Sequence, residues 1–294
     1  MRINYIMTDF KSPIFDAHLH TMGNFLPPEM SLLDYMDEFG IEKAVLTTTN
    51  RAASAKVYTD KGSNPSQGAS KKNKVSQAFK KFKEMMPKEQ LGHEDVIEIA
   101  NQAPERFIKF FWFNPNVAED QRETSYATLK DHFQRGFQGV KIHPGTHLIR
   151  IPRDIEDLVA LMQDYNPDFP LFIHSTPKVS FFRGVMSKDI AKLAKQHPNL
   201  PIIVGHAGYA MEYVIDLGLT LKNLENVYFE TSCSIPYAIF SLVKMVGSKR
   251  ILFGSDAPIT NPLSLEIEKI RTLPLTSEQQ NDILYENAQS FFPK

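Results

Sequence analysis

Asp16-Ala17-His18-Leu19-His20 closes an apolar run near the start of the 294-residue chain. Alternate side chains of a strand share a face, so residues 16, 18 and 20 are expected to project together, with two imidazoles able to reach one cation. Neutral imidazole suits zinc, iron, nickel or copper. Further along, His143, His174 and His206 each end a short apolar run, and Phe253-Gly254-Ser255-Asp256 delivers a carboxylate in the same way. Asp256 is read as a metal ligand or as the base that takes a proton from an activated water. His174 is read as a ligand. His206, set among Gly205, Ala207 and Gly208, is read as a substrate-facing or catalytic imidazole that small neighbours leave open to approach.

Lys141 precedes His143 by two residues, so both face inward if either does. A lone buried ammonium is costly, and Lys141 is expected to be paired with a carboxylate, lowered in pKa, or converted to a carbamate that bridges two metals. Asp16 is the expected partner, or else a residue that orients a ligand from behind. Glu230, at the end of another run, is a further polar candidate. Structural alternatives stand beside these roles: a hydrogen-bonded core histidine for His174, a helix cap for Asp256, and an ion pair for Lys141. His93, His132, His147 and His197 are expected to be exposed, and Cys233, the one cysteine, to be a small buried residue. Of the rings in 110–113, one alternate set is expected in the core and the other beside the substrate.

Eight β-rich runs position these residues: 14–20, 43–49, 107–113, 139–143, 171–174, 202–206, 227–231 and 251–256. Amphipathic helical patterns lie between them, at 31–39, 119–135, 154–165, 188–197, 211–224, 234–246, 265–272 and 277–291. Strand and helix alternating in this way predict an α/β fold, a single (β/α)8 barrel over residues 1–294. All strand ends then meet on one rim, which gathers the histidines and Asp256. One step is too long. Residues 50–92 form an insertion after the second strand, with a helical pattern over 74–86. Ten basic residues against three acidic give this segment +7, which leaves −8 for the remainder of a chain of net charge −1. It reads as a solvated basic surface or as a lid that attracts an anionic substrate.

Composition narrows the partners. Thirty-three basic and thirty-four acidic residues argue against nucleic acid and anionic membranes, so a small molecule, anionic if the lid reading holds, is the expected partner. A homo-oligomer is compatible with the sequence. A single cysteine excludes an intrachain disulfide framework, and no apolar run approaches the roughly 20 residues that span a bilayer; the cytoplasm is the expected location. No phosphate-binding glycine loop, nucleophile elbow or zinc-finger cysteine spacing occurs.

Taken in order, Phe-Asp-Ala-His-Leu-His (15–20), Gly-Val-Lys-Ile-His-Pro (139–144), Ile-His-Ser (173–175), Val-Gly-His-Ala-Gly (204–208), Phe-Gly-Ser-Asp-Ala-Pro (253–258) and Glu-Asn-Ala-Gln-Ser-Phe-Phe (286–292) resemble the amidohydrolase superfamily. The branch it looks most like is the amidohydrolase-2 family of metal-dependent TIM-barrel hydrolases, related to aminocarboxymuconate-semialdehyde decarboxylase. The resemblance implies that His18, His20, His174 and Asp256 form the metal shell, with His206 catalytic or a further ligand. It implies a divalent metal, zinc most often. One ion is expected, and two if Lys141 is carboxylated, since the fourth-run motif also resembles that of dihydroorotase, leaving Lys141, His143 and His206 as second-metal or substrate residues. The activity expected from it is hydrolysis of a small ester, lactone or amide by a metal-activated water. The same branch also holds nonoxidative decarboxylases of aromatic or unsaturated acids, and a catalytically inactive binding barrel is the third reading.

Overall fold

Eight parallel strands pair in chain order: β1 Ile14–His20, β2 Ile41–Thr47, β3 Phe107–Trp112, β4 Phe137–Ile142, β5 Leu171–His174, β6 Ile202–Gly205, β7 Val227–Glu230 and β8 Ile251–Leu252. The computed structural model describes residues 13–48, 90, 92–177 and 184–292. A bridge between Leu19 and Ala257 brings the first and last strands together. Backbone bonds reinforce it, from Ala17 N to Phe253 O, Asp256 N to His18 O, and His20 N to Ala257 O, each 2.8 Å. The result is the nearly closed (β/α)8 barrel that the alternation predicts. Among the described residues no helix is long and apolar enough to cross a membrane.

Period-two alternation divides the core into two shells. Outward-facing Val140, Ile142, Leu171, Ile173, Val204 and Phe229 join the surrounding helices. Inward-facing Phe15, Val45, Phe110, Phe172, Ile203 and Leu252 form a separate cluster that Ala288 and Phe292 plug from below. Phe292 lies 5.5 Å from the Phe15 ring and 5.9 Å from Phe110. The crowding needs small neighbours: a Cβ on Gly205 would overlap the Phe172 ring, so glycine is required by close approach.

Local chemistry sets the helix limits. Ser31 caps Leu32–Glu38 by accepting from Asp34 N at 3.1 Å, and Thr276 and Gln279 form a capping box at Ser277–Asn281. Pro236 opens Pro236–Val246, and Gly247, at φ 79°, ends it. Met211–Leu221 buries Tyr213, Val214, Leu217 and Leu221, one stripe of a 3.6-residue period. Most expected helices are shorter by one to three residues at an end. Glu94–Ala100 and the single turn Pro144–His147 were not expected; the former buries only Val96 and Ala100, too small a stripe to stand out in sequence. Apart from Gln90 and Gly92, the insertion 50–92 lies outside the described residues, as does its helical pattern.

Candidate metal centre

On β1, simple alternation does not hold. The register against β2 shifts between Asp16 and Leu19, a bulge-like irregularity, and the face changes there. Phe15 and Ala17 point into the lower barrel and Leu19 into the outer shell, while His18 and His20 point into the mouth. Asp16 therefore does not share their environment as expected. Its carboxylate accepts from Ser255 N at 3.0 Å, Ser255 Oγ at 2.5 Å and His18 N at 2.9 Å, and so ties β1 to the segment carrying Asp256. It is not the partner of Lys141, whose Nζ meets His18 and His20 instead. Burial pushes its pKa up to about 7 against the opposing pull of the Ser255 and His18 bonds.

Three donor atoms converge above the floor. Asp256 Oδ1 lies 3.0 Å from His18 Nε2 and 3.0 Å from His20 Nε2, and the two imidazole nitrogens are 3.2 Å apart. An ion bound at roughly 2.0–2.2 Å to nitrogen and oxygen holds neighbouring ligands about 3.0–3.5 Å apart, so this triangle fits one face of a coordination sphere. The opposite ring nitrogens support that orientation. His18 Nδ1 faces Glu230 Oε2 at 3.3 Å and Ser232 Oγ at 3.2 Å, and His20 Nδ1 faces the Thr48 carbonyl at 2.9 Å. With Nδ1 donating, each Nε2 lone pair is free for a cation.

Lys141 reaches the same triangle from β4. Its Nζ contacts His18 Nε2 closely and His20 Nε2 at 3.0 Å, and lies 4.8 Å from the Trp112 ring centroid and 5.3 Å from that of Phe172. A cationic nitrogen at this spot stands in for a metal ion, a second sign that the donors fit one. Burial pushes Lys141 down to about 8, against the pull of Asp256 and Glu230. The lowered pKa was among the expected outcomes for a buried lysine. Burial and Lys141 push His20 down to about 3. They push His18 down too, but Asp256 and Glu230 outweigh them and its pKa rises. Burial alone would raise Asp256, yet His18 and His20 hold it well below the usual carboxylate range.

His174, His206 and His143 form the adjoining wall. His206 Nε2 lies 2.9 Å from His174 Nδ1, and the His143 and His174 rings stack at 3.6 Å and 15°. Burial lowers the pKa of all three, which keeps them neutral. His174 thus meets the metal triangle through His206 rather than within the close groups of ligand atoms, which are His18/His20/Asp256, His18/His206/Glu230 and His206/Cys233/Asp256 among the described residues. His206 and Asp256 stand just past β6 and β8 with left-handed backbone, φ 56° and 54°, which turns their side chains back into the mouth.

Glu230 is a fully buried anchor whose facing the sequence left open. It accepts from His206 N at 3.1 Å, Ser232 Oγ at 2.9 Å and Ser232 N, besides facing His18. Burial would raise it, but His18, His206 and Ser232 bring it down to about 2. A Cβ on Gly254 would overlap this carboxylate, so the segment after β8 carries glycine there.

The expectation of exposed histidines fails at three positions. His93, His132 and His147 are buried. His93 Nε2 accepts from Trp112 N at 2.7 Å, His147 Nε2 accepts from Trp112 Nε1 at 2.9 Å, and His132 packs against Phe111 and Phe137. Trp112 faces His20 and His143, so two of these histidines brace an aromatic side of the mouth. Phe111 and Phe113 occupy the outer core while Phe110 and Trp112 point inward, as alternation predicts. Cys233 is not fully buried as expected: at φ 55° it turns from the end of β7 toward Asp256. Burial and Asp256 push its thiol up.

Comparison with solved structures supports the fold. The chain superposes on an uncharacterised TIM-barrel protein of Bordetella bronchiseptica with a TM-score of 0.66 at 17% identity, covering 95% of this chain and 98% of the other. A dihydroxybenzoic acid decarboxylase of Polaromonas sp., with bound manganese and 2-nitroresorcinol, gives 0.57 at 16% identity and 95% and 96% coverage. A 2-pyrone-4,6-dicarboxylic acid hydrolase assignment attaches to a Pseudomonas putida structure at 0.56, with 14% identity and 95% and 97% coverage. No functionally curated protein matches the sequence. A family model described as amidohydrolase matches residues 50–294, the greater part of the chain and the part that carries Lys141, His174, His206 and Asp256; the chain belongs to the amidohydrolase family.

Proposed function

We propose that the chain is a metal-dependent hydrolase of a small ester, lactone or amide. One observation carries this reading: the two oxygens of Asp256 have separate surroundings. Oδ1 completes the triangle with His18 and His20, while Oδ2 faces Cys233 Sγ at 3.8 Å. One carboxylate can therefore hold a divalent ion and accept a proton. His18, His20 and Asp256 would hold the ion, with His174 the further ligand that the family resemblance implies. Zinc is the ion implied by resemblance, and manganese the one bound in the Polaromonas neighbour. When bound, the ion supplies Lewis acidity and lowers the pKa of a water.

The residues then divide the work. Asp256, held ionised, takes the proton of the attacking water. Neutral His206, its Nδ1 held by Ser232 Oγ, would turn its Nε2–H from His174 Nδ1 to the oxygen that gains charge or to the leaving group. Lys141 shares the His18 and His20 donors, and its cation 4.8 Å from the Trp112 ring centroid suits an anionic substrate. Glu230 and Thr48 keep the imidazoles turned, and Asp16 holds the Asp256 segment against β1.

Nonoxidative decarboxylation is the second reading. The stacked His143 and His174 rings beside Trp112 offer a flat wall to a planar acid, and the Polaromonas neighbour is named for such a reaction. A screen of lactones, esters, amides and hydroxybenzoates in oxygen-18 water separates the two. Heavy oxygen in the product acid supports hydrolysis. Carbon dioxide release without water uptake overturns it in favour of decarboxylation. Metal content of protein purified without added ions tests the shared premise.

A further inference from the structure

We propose that His206, Cys233 and Asp256 form a second cation position, beside the His18/His20/Asp256 face, that takes a thiophilic divalent ion such as zinc or cadmium and blocks turnover when filled. A ring nitrogen of His206, Cys233 Sγ and a carboxylate oxygen of Asp256 all lie within 4.8 Å of one another. The sulfur is 3.8 Å from Asp256 Oδ2; with metal bonds of about 2.3 Å to sulfur and about 2.1 Å to oxygen, that span corresponds to an angle near 120°. Asp256 Oδ1 is already turned to His18 and His20, so each oxygen has its own set of donors.

Backbone conformation singles out the same three residues. Among the described residues four that are not glycine have positive φ: Leu148, His206, Cys233 and Asp256. Three of these four follow the last three strands, and their ligand atoms lie together. Histidine and aspartate tolerate this region better than most residues, and cysteine has no such preference, so its presence there aims the thiol. Sγ also donates to Thr260 Oγ1 at 3.2 Å, a contact that coordination would release together with the thiol proton.

The two positions differ in softness. Nitrogen and oxygen donors on the first face accept manganese or zinc, whereas a thiolate disfavours manganese and magnesium. A filled second position takes up Asp256 Oδ2 and His206, the groups assigned to proton transfer. The inhibitory effect thus rests on the proposed function, but binding does not.

The test is titration of the full chain, stripped of metal, with cobalt(II), following the thiolate-to-cobalt band in the near ultraviolet. Cys233 is the only cysteine, so any such band reports this site. Two equivalents of cobalt with a thiolate band, one equivalent of manganese, and inhibition by excess zinc but not manganese are expected. Cys233→Ser should lose the band, the second equivalent and the zinc inhibition. Cobalt binding without a thiolate band overturns this proposal and leaves the first face intact. No bound metal at all overturns both. If Cys233→Ser does not fold, alkylation of Cys233 by iodoacetamide in the unaltered chain decides: zinc should slow it about tenfold or more and manganese should not. Equal rates overturn the proposal.

Discussion

Floor and mouth of the barrel use the same strands in opposite ways. On β1, Phe15 packs on Phe292 while His18 and His20 meet Asp256; on β5, Phe172 fills the interior while His174 contacts His206. The floor is apolar and closed. The mouth places four imidazoles whose pKa burial lowers, an amine and two low-pKa carboxylates in a region almost as dry. Stability and chemistry are therefore separated along each strand, and single substitutions should separate them too.

The sharpest contrast sets Asp256→Asn against Phe15→Ala. Asp256→Asn should lower kcat by roughly 10²–10⁴-fold, with the melting temperature of the metal-free protein little changed, as read by steady-state kinetics on a substrate from the screen. Turnover that survives would remove Asp256 from the chemistry. Phe15→Ala should do the reverse, costing about 3–5 kcal/mol in urea unfolding while metal stoichiometry is kept. Loss of metal binding in that variant would mean that floor and mouth are coupled. Glu230→Gln probes the join between them: metal affinity should fall roughly 10–100-fold, because His18 loses the acceptor that sets its ring. Competition against a chelating dye measures it.

The smallest effect concerns Asp16 and pH. Its pKa is about 7 in the fold and near 3.8 without it, so between those values the folded chain holds a proton that the unfolded chain has lost. Its contribution to stability is full below the lower value and is lost as pH rises toward about 7. Asp16→Asn, which cannot ionise, should gain on the parent by at most about 1.4 kcal/mol per pH unit across that window. Chemical unfolding of metal-free protein at pH 5, 6 and 7 checks the slope, and parallel curves would show that Asp16 stays ionised.

Much of the mouth was legible in sequence because strand ends are legible. His18, His20, His174, His206 and Asp256 each follow a β-rich run, and a parallel barrel brings such ends together whatever the loops do. Unbroken alternation puts Asp16 on the face of His18 and His20, and nothing in Asp-Ala-His marks the bulge that breaks it. Long-range partnerships were hidden for a different reason. Glu230 meets His18, and His147 meets Trp112, only after the barrel closes, so no local spacing announces them. His93 and His132 looked like surface residues because their partners lie on β3 and β4 or one helical turn away. Cys233 depended on a left-handed residue that sequence does not reveal.

The junction between β1 and β8 has the thinnest pairing in the sheet, a lone bridge with a few backbone bonds, and His18 and Asp256 face each other across it. An ion shared by these two residues would close a loop containing most of the chain. Because the two residues meet only in the fold, the ion stabilises by its affinity for the folded chain, about 4 kcal/mol at a free concentration roughly 1,000 times Kd. The metal would then be a latch on the barrel as well as a reagent. Its removal should show first as faster hydrogen exchange at the Ala17, His20 and Asp256 amides, with the β3–β6 amides unaffected.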